Sequence, residues 1–230
     1  MILEVMLQLY SYGALFALGL LAGLYYFWKM GRDEHLEEIS LFDAYFIALL
    51  SYFVVGRGVY SSFLSQLSLV QSVAILAHPG MSVLTGIIGA LLMMGVVSSV
   101  KGWMLPKIMD LSAVSLTLVM IFGSIGTLIS GVTPIAILSL FFAILAFISS
   151  YRVRKNFRFY SWYKGERSVA PEGLAAWTGV LLAGFYYVIR GFLEPQMILY
   201  MLCGGVALIL LSIVKIFMQT GRKFRLPGVK

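Results

Sequence analysis

The chain reads as an all-α, polytopic integral membrane protein of about seven transmembrane helices, and three observations predict this. Hydrophobic residues make up 60% of its 230 residues and charged residues only 12%, with a mean hydropathy of +0.94. A soluble domain carries about a quarter of its residues charged. The apolar residues are gathered in blocks of about twenty, the length a helix needs to cross a bilayer core of ~30 Å. Lipid cannot hydrogen-bond a backbone, so each block must satisfy its own N–H and C=O groups and must be helical. The third observation is that Lys and Arg collect in alternate connectors between the blocks.

The spans fall at about 6–28, 41–64, 81–100, 108–130, 135–151, 173–192 and 196–218, in one transmembrane domain over 1–230. Neither an internal repeat nor a second domain is visible. The first span ends in Tyr25-Tyr26-Phe27-Trp28-Lys29, an aromatic and basic flank typical of a membrane interface. The first residues contain Glu4 and no Lys or Arg, so the first block is expected to remain as a helix and not to be cleaved as a signal peptide. The stretch from Ser65 to Pro79 is uncharged, yet too polar for a span, and fits an interfacial or re-entrant segment.

Charge sorting sets the orientation. Lys29 and Arg32 lie in the first connector, Lys101 and Lys107 in the third, and Arg152, Arg154, Lys155, Arg158, Lys164 and Arg167 in the fifth. Lys215, Arg222, Lys223, Arg225 and Lys230 gather at the end, whereas the second and fourth connectors hold no Lys or Arg. Basic residues favour the cytoplasmic side, so the N-terminus is expected outside and the C-terminus in the cytoplasm. The formal charge of +7 is accounted for in this way and implies no nucleic-acid partner.

Two basic residues escape the sorting. Arg57 lies within the second span, in Gly56-Arg57-Gly58-Val59-Tyr60, and Arg190 lies near the end of the sixth. Both spans run from inside to outside, which puts both arginines in the outer half. A charge inside a span usually faces the bundle interior or an aqueous cavity. Tyr60 stands three residues from Arg57, and Tyr186 and Tyr187 stand four and three from Arg190, on shared helix faces. A guanidinium fork suits a phosphate, and a tyrosine hydroxyl can add a hydrogen bond. The pattern predicts a cleft for an anionic phospholipid headgroup. The blander alternatives are an Arg190–Glu194 pair at i, i+4 and snorkelling to the headgroups.

Glycines recur in the spans: Gly19 and Gly23, Gly56, Gly86 and Gly89, Gly123 and Gly126, where small residues let helices approach closely. No HExxH or paired-Cys pattern is present, and no metal or cofactor is expected. Cys203, beside Gly204 and Gly205, reads as packing. His35 and His78 fall in connectors on opposite sides of the membrane and cannot meet. Asp43 and Asp110 read as acids at the starts of their spans, favoured by the helix dipole. Asp33, Glu34, Glu37 and Glu38 read as the solvated face of a short surface helix.

A run of local matches in order resembles the bacterial prolipoprotein diacylglyceryl transferases. They are Ser11-Tyr12-Gly13, Gly56-Arg57-Gly58-Val59-Tyr60, Gly80-Met81-Ser82 through Gly89, Asp110, Gly123-Ser124-Ile125-Gly126, and Gly179 to Pro195. The resemblance implies a seven-span fold. It also implies transfer of a diacylglyceryl group from phosphatidylglycerol to a lipoprotein cysteine thiol, with glycerol phosphate leaving. It further implies a bacterial plasma membrane, with a prolipoprotein signal peptide as the protein partner. Taken with the residue pattern above, the expected headgroup site comprises Arg57, Tyr60, Tyr12, Arg190 and Tyr186, with Gly56, Gly86, Gly89, Gly123 and Gly126 as structural glycines.

The pattern also departs from the family. Leu84 stands at the family's histidine, Thr85 at the following glycine, Ser124 at its fourth-span arginine and Thr127 at the asparagine beyond. A gap-free match sets Tyr186 at the sixth-span arginine and Arg190 at the family's glutamate. A thiol needs a base or a lowered pKa to attack, so a lipid-binding or transport protein without catalysis is the alternative. The orientation predicts that a fluorescent protein fused after Lys230 will fluoresce in the cytoplasm. Alkaline phosphatase at the same position will be inactive, and the reverse result would invert the topology.

Overall fold

The computed structural model describes residues 2–64, 82–131, 133–159, 172–194 and 198–219. These residues form seven helices: α1 (Ile2–Asp33), α2 (Glu38–Val59), α3 (Val83–Val100), α4 (Leu105–Ser130), α5 (Pro134–Phe159), α6 (Leu174–Leu193) and α7 (Ile198–Gln219). All seven are long and apolar enough to cross a membrane, and there is no strand among the described residues. Large apolar side chains stand outward along them, such as Leu92, Val100, Leu199 and Phe141. Water would penalise such a surface heavily; lipid does not.

The helix limits differ from the sequence expectation in instructive places. α2 ends at Val59 and passes into one π-helical turn, Tyr60–Leu64. α5 continues beyond Tyr151 to Phe159, so Arg152 and Arg154 belong to a helix and not to a loop. The segment Ser65–Pro79 with His78, the residues Lys164 and Arg167, and the basic tail from 220 lie outside the described residues.

The turns explain where helices stop. After α1, Leu36 N–H donates to Gly31 O at 3.1 Å and His35 N–H to Arg32 O at 2.9 Å, with His35 at φ 61°. That is a Schellman cap with a histidine where glycine is usual. Gly102, at φ 68°, closes α3 in the same way, with Trp103 N–H donating to Ser98 O at 2.8 Å. At the start of α5, Ala136 N–H donates to Thr133 Oγ1 at 3.1 Å and Pro134 takes the first helical position.

The acidic residues after α1 do not form a short surface helix. Asp33 ends α1, Glu34 lies in the turn, and Glu38 already opens α2. They are partnered: Lys107 Nζ lies 2.8 Å from Glu34, Ser40 Oγ donates to Glu37 at 2.5 Å, and Trp28 Nε1 donates to Glu38 at 3.2 Å. Lys101 Nζ donates in turn to Ser40 Oγ at 2.9 Å. The α1–α2 turn is thereby tied to the α3–α4 turn.

The chain divides into two compact units, Phe27–Ile108 and the remainder, Met1–Tyr26 with Met109–Lys230. Within Phe27–Ile108, α3 lies against α2 with almost no gap. A Cβ on Gly86 would come within 2.8 Å of the Tyr52 ring, and one on Gly89 within 2.7 Å of Val55. Ser51 Oγ uses that proximity to donate to Gly89 O at 3.0 Å. In the other unit, Gly19 meets α4 at Val119 and Phe122, Gly126 meets Tyr12 of α1, and Gly184 and Gly205 bring α6 onto α7. Gly123 differs, since a Cβ there would meet only Phe16, at an ordinary 3.9 Å.

Association of helices in lipid rests on this contact, because burying apolar surface yields little when the solvent is itself apolar. Gly86→Leu and Gly89→Val should each cost about 1–3 kcal/mol. Thermal unfolding of the purified protein in detergent should show both losses. Gly58→Ala, where a Cβ meets nothing within 4 Å inside a helix, should not lower the melting temperature and should raise it slightly.

Candidate functional site

Arg57 sits two residues before the end of α2, and the local backbone holds it firmly. Gly56 O accepts from Tyr60 N–H and also from Ser82 N–H at 3.0 Å, which ties the end of α2 to the residue that opens α3. Ser61 Oγ, buried in the π-helical turn, donates to Gly58 O at 3.1 Å. π-helical turns often accompany functional sites because they change which side chains share a face.

The Arg57 side chain is only 9% exposed, unusual for an arginine on an apolar span. Its guanidinium carbon lies 5.7 Å from the centre of the Tyr60 ring. A cation over a ring face gains about 1 kcal/mol, and more when water is excluded. The two side chains therefore form a positively charged element inside a region of low polarity.

In the other unit, α6 carries the second group. Arg190 Nε donates to Glu194 Oε2 at 3.1 Å and Nη2 to Oε1 at 3.0 Å, a two-pronged pair at i, i+4. Its Nη1 reaches the Tyr186 hydroxyl at 3.4 Å. The Tyr186 ring in turn packs edge-on against Phe142 of α5 and against Tyr187. Arg190 is thus engaged by Glu194, the alternative that the i, i+4 spacing allowed, and by Tyr186 as well.

Tyr12 lies on α1 with its ring parallel to Phe16, against Gly126 of α4. Arg57 and Tyr60 belong to one compact unit, and Tyr12, Tyr186 and Arg190 to the other.

Asp110 is not a helix-start acid of its own span. It lies inside α4, is 3% exposed, and accepts from the start of α6: Gly173 N–H donates to Oδ2 at 2.7 Å and Ala176 N–H to Oδ1 at 2.8 Å. The favourable dipole is therefore that of another helix, the one carrying Arg190. Gly173 precedes α6 at φ 91°, a conformation natural to glycine. Buried Arg154 of α5 attracts the same carboxylate, and Ser150 Oγ donates to Ala175 O at 3.1 Å. Asp43 likewise stands inside α2, exposed, and not in its first turn.

The family model for prolipoprotein diacylglyceryl transferase matches residues 1–134, more than half of the chain. The chain belongs to that family. The match takes in α1 to α4, and with them Tyr12, Arg57, Tyr60, Gly126 and Asp110; α6 with Arg190 lies beyond it. No curated protein matches the chain significantly. As a family member it is a multi-pass, transferase-like membrane protein of lipoprotein biogenesis, with phospholipid and prolipoprotein as the family's substrates.

The family departures have definite surroundings. Leu84, where the sequence resemblance expects a histidine, is exposed in the first turn of α3. Ser124, where the resemblance expects an arginine, is buried, and its carbonyl accepts from Thr127 Oγ1 at 2.8 Å. Asp110 was the residue whose partners lay furthest from sequence reasoning: it is separated from Gly173 by a long stretch of chain, and no local pattern signals the contact. Asp110→Ala should cost about 3 kcal/mol, because it leaves two helix-end N–H groups and the Arg154 charge in a water-poor place. Asp110→Asn, which keeps acceptor capacity, should lose less. Denaturation of the purified protein with increasing fractions of ionic detergent measures both.

Proposed function

We propose that this protein is a phosphatidylglycerol–prolipoprotein diacylglyceryl transferase of a bacterial plasma membrane, with Arg57 and Tyr60 holding the lipid phosphate. In this reading the N-terminus faces outside, the C-terminus lies in the cytoplasm, and the chain forms one transmembrane domain. The observation that carries it is Arg57, a nearly buried arginine over Tyr60 in a Gly-Arg-x-x-Tyr sequence within the family-matched region. A guanidinium in low dielectric binds a phosphate strongly and would stabilise the charge gathering on departing glycerol phosphate. The lipoprotein thiolate forms the C–S bond at the glyceryl carbon while the C–O bond to the phosphate breaks. The thiol proton ends on the departing glycerol phosphate, which as a monoester carries one more ionisable oxygen than the diester did. In the other unit, Tyr12, Tyr186 and Arg190 are taken as lipid-headgroup contacts in their own right.

A second reading, lipid binding or transport without catalysis, is favoured by Leu84 and Ser124. Neither side chain can take a proton from a thiol or add a positive charge at a phosphate.

Expression in cells depleted of their own diacylglyceryl transferase separates the two. The transferase reading expects growth and lipoprotein modification to return with the wild-type chain, vanish with Arg57→Ala, and recover in part with Arg57→Lys. A wild-type chain that inserts correctly but restores nothing would sink this reading for the host's substrates and leave the second.

A further inference from the structure

We propose that the Arg190 fork is a phosphate-ester site held shut by Glu194, which an arriving phosphate displaces. The inference rests on the reading of Arg190 as a headgroup contact and adds the group that regulates it. Its basis is the geometry of the pair. Both carboxylate oxygens of Glu194 occupy the two adjacent donors Nε and Nη2, the edge of a guanidinium that a phosphate takes by the same two-oxygen match. Glu194 therefore stands where two phosphate oxygens would stand.

Three features make the carboxylate displaceable. It is part-exposed, at 27%, and the Arg190 side chain is 31% exposed, so the attraction is screened. Glu194 is the residue that ends α6, with φ −120° and ψ 80°, and its N–H is bonded to Arg190 O at 2.9 Å. Rotation about its side-chain bonds alone frees the fork and leaves the backbone in place. The Tyr186 hydroxyl, at a long 3.4 Å from Nη1, can donate to an incoming group. A carboxylate has only its two oxygens, both engaged by Arg190; a phosphate monoester has a third non-bridging oxygen for the tyrosine, and a diester has a bridging ester oxygen, a weaker acceptor. The exchange keeps the charge balance of the arginine and adds a hydrogen bond.

The ligand class is a phosphate monoester or diester, supplied either by an anionic lipid or by soluble glycerol phosphate. Native mass spectrometry of the full chain in detergent, titrated with phosphatidylglycerol, reads the dissociation constant of the first bound lipid. Glu194→Gln should tighten it about fivefold, the factor equivalent to a pair of about 1 kcal/mol. The gain should vanish when Arg190→Gln is added, and phosphatidylcholine should show none. Competition by soluble glycerol phosphate, tested beside the lipid, tells which source the fork accepts.

An unchanged or weaker affinity in Glu194→Gln would overturn the proposal. So would a gain that survives in the Arg190→Gln background, which would mark bulk attraction by the lost negative charge. A fall in melting temperature without a gain in affinity would show that the pair only secures the helix end, and would also overturn it. Arg57→Gln in the same titration keeps the two ideas apart. If it loses the lipid while Glu194→Gln has no effect, only the masking fails; if it binds normally while Glu194→Gln gains, only the Arg57 reading fails.

Discussion

The polar groups within the spans work under one constraint: inside the bilayer there is no water to accept or donate a hydrogen bond. The hydroxyl side chains of the spans show the response. Ser98 donates to Met94 O, Thr117 to Val114 O, Ser139 to Ala136 O, Thr178 to Ala175 O and Ser212 to Leu208 O. Each bonds back to a carbonyl one turn earlier in its own helix, so a serine can lie in a span without an external partner. Charged groups need more. Asp110 takes two N–H groups from the start of α6, Arg190 takes Glu194, and Arg57 lies over Tyr60. The polar contacts that join helices, such as Ser51 with Gly89 and Ser150 with Ala175, depend on backbones brought near by small residues.

The same constraint decides what could be read from the sequence. Seven spans were legible because lipid demands long apolar helices, and both the blocks and the flanking charges report this directly. The partners of Arg190 were legible because they lie in one local stretch, at four residues before and after it. Tyr60 beneath Arg57 was legible for the same reason. Residues joined only by the fold were not. Asp110 looked like an acid opening its own helix because that is the local rule for acids near a helix start, yet its two bonds reach Gly173 and Ala176. The acidic run from Asp33 to Glu38 had the composition of a short exposed helix, but the Schellman cap at His35 ends α1 inside it and leaves no length for another.

Glycine positions were legible as a class and not one by one. Gly86, Gly89 and Gly126 each have a neighbour where a side chain would begin, whereas Gly123 has room for a methyl group. Sequence spacing marks a glycine as a possible crossing point; which residue faces the neighbour depends on how the helix is rotated. Family membership narrows the chemistry without completing it: the matched range holds Arg57 and Tyr60, while Leu84 and Ser124 stand where the sequence resemblance expects a histidine and a second arginine.

The π-helical turn at Tyr60–Leu64 carries a further meaning for how this chain relates to others. Such a turn takes one residue more than an α-helical turn, which moves the side chains of Tyr60–Leu64 off the spacing of α2 by up to about 100° around the axis. Positions before Arg57 would then superimpose on a relative with an unbroken helix, whereas those after it would be one step out of phase. Counting residues along α2 from a relative would assign Ser61 and Ser62 to the wrong faces. A one-residue gap placed beyond Arg57 would restore the correspondence, so the bulge tells an alignment where its gap belongs.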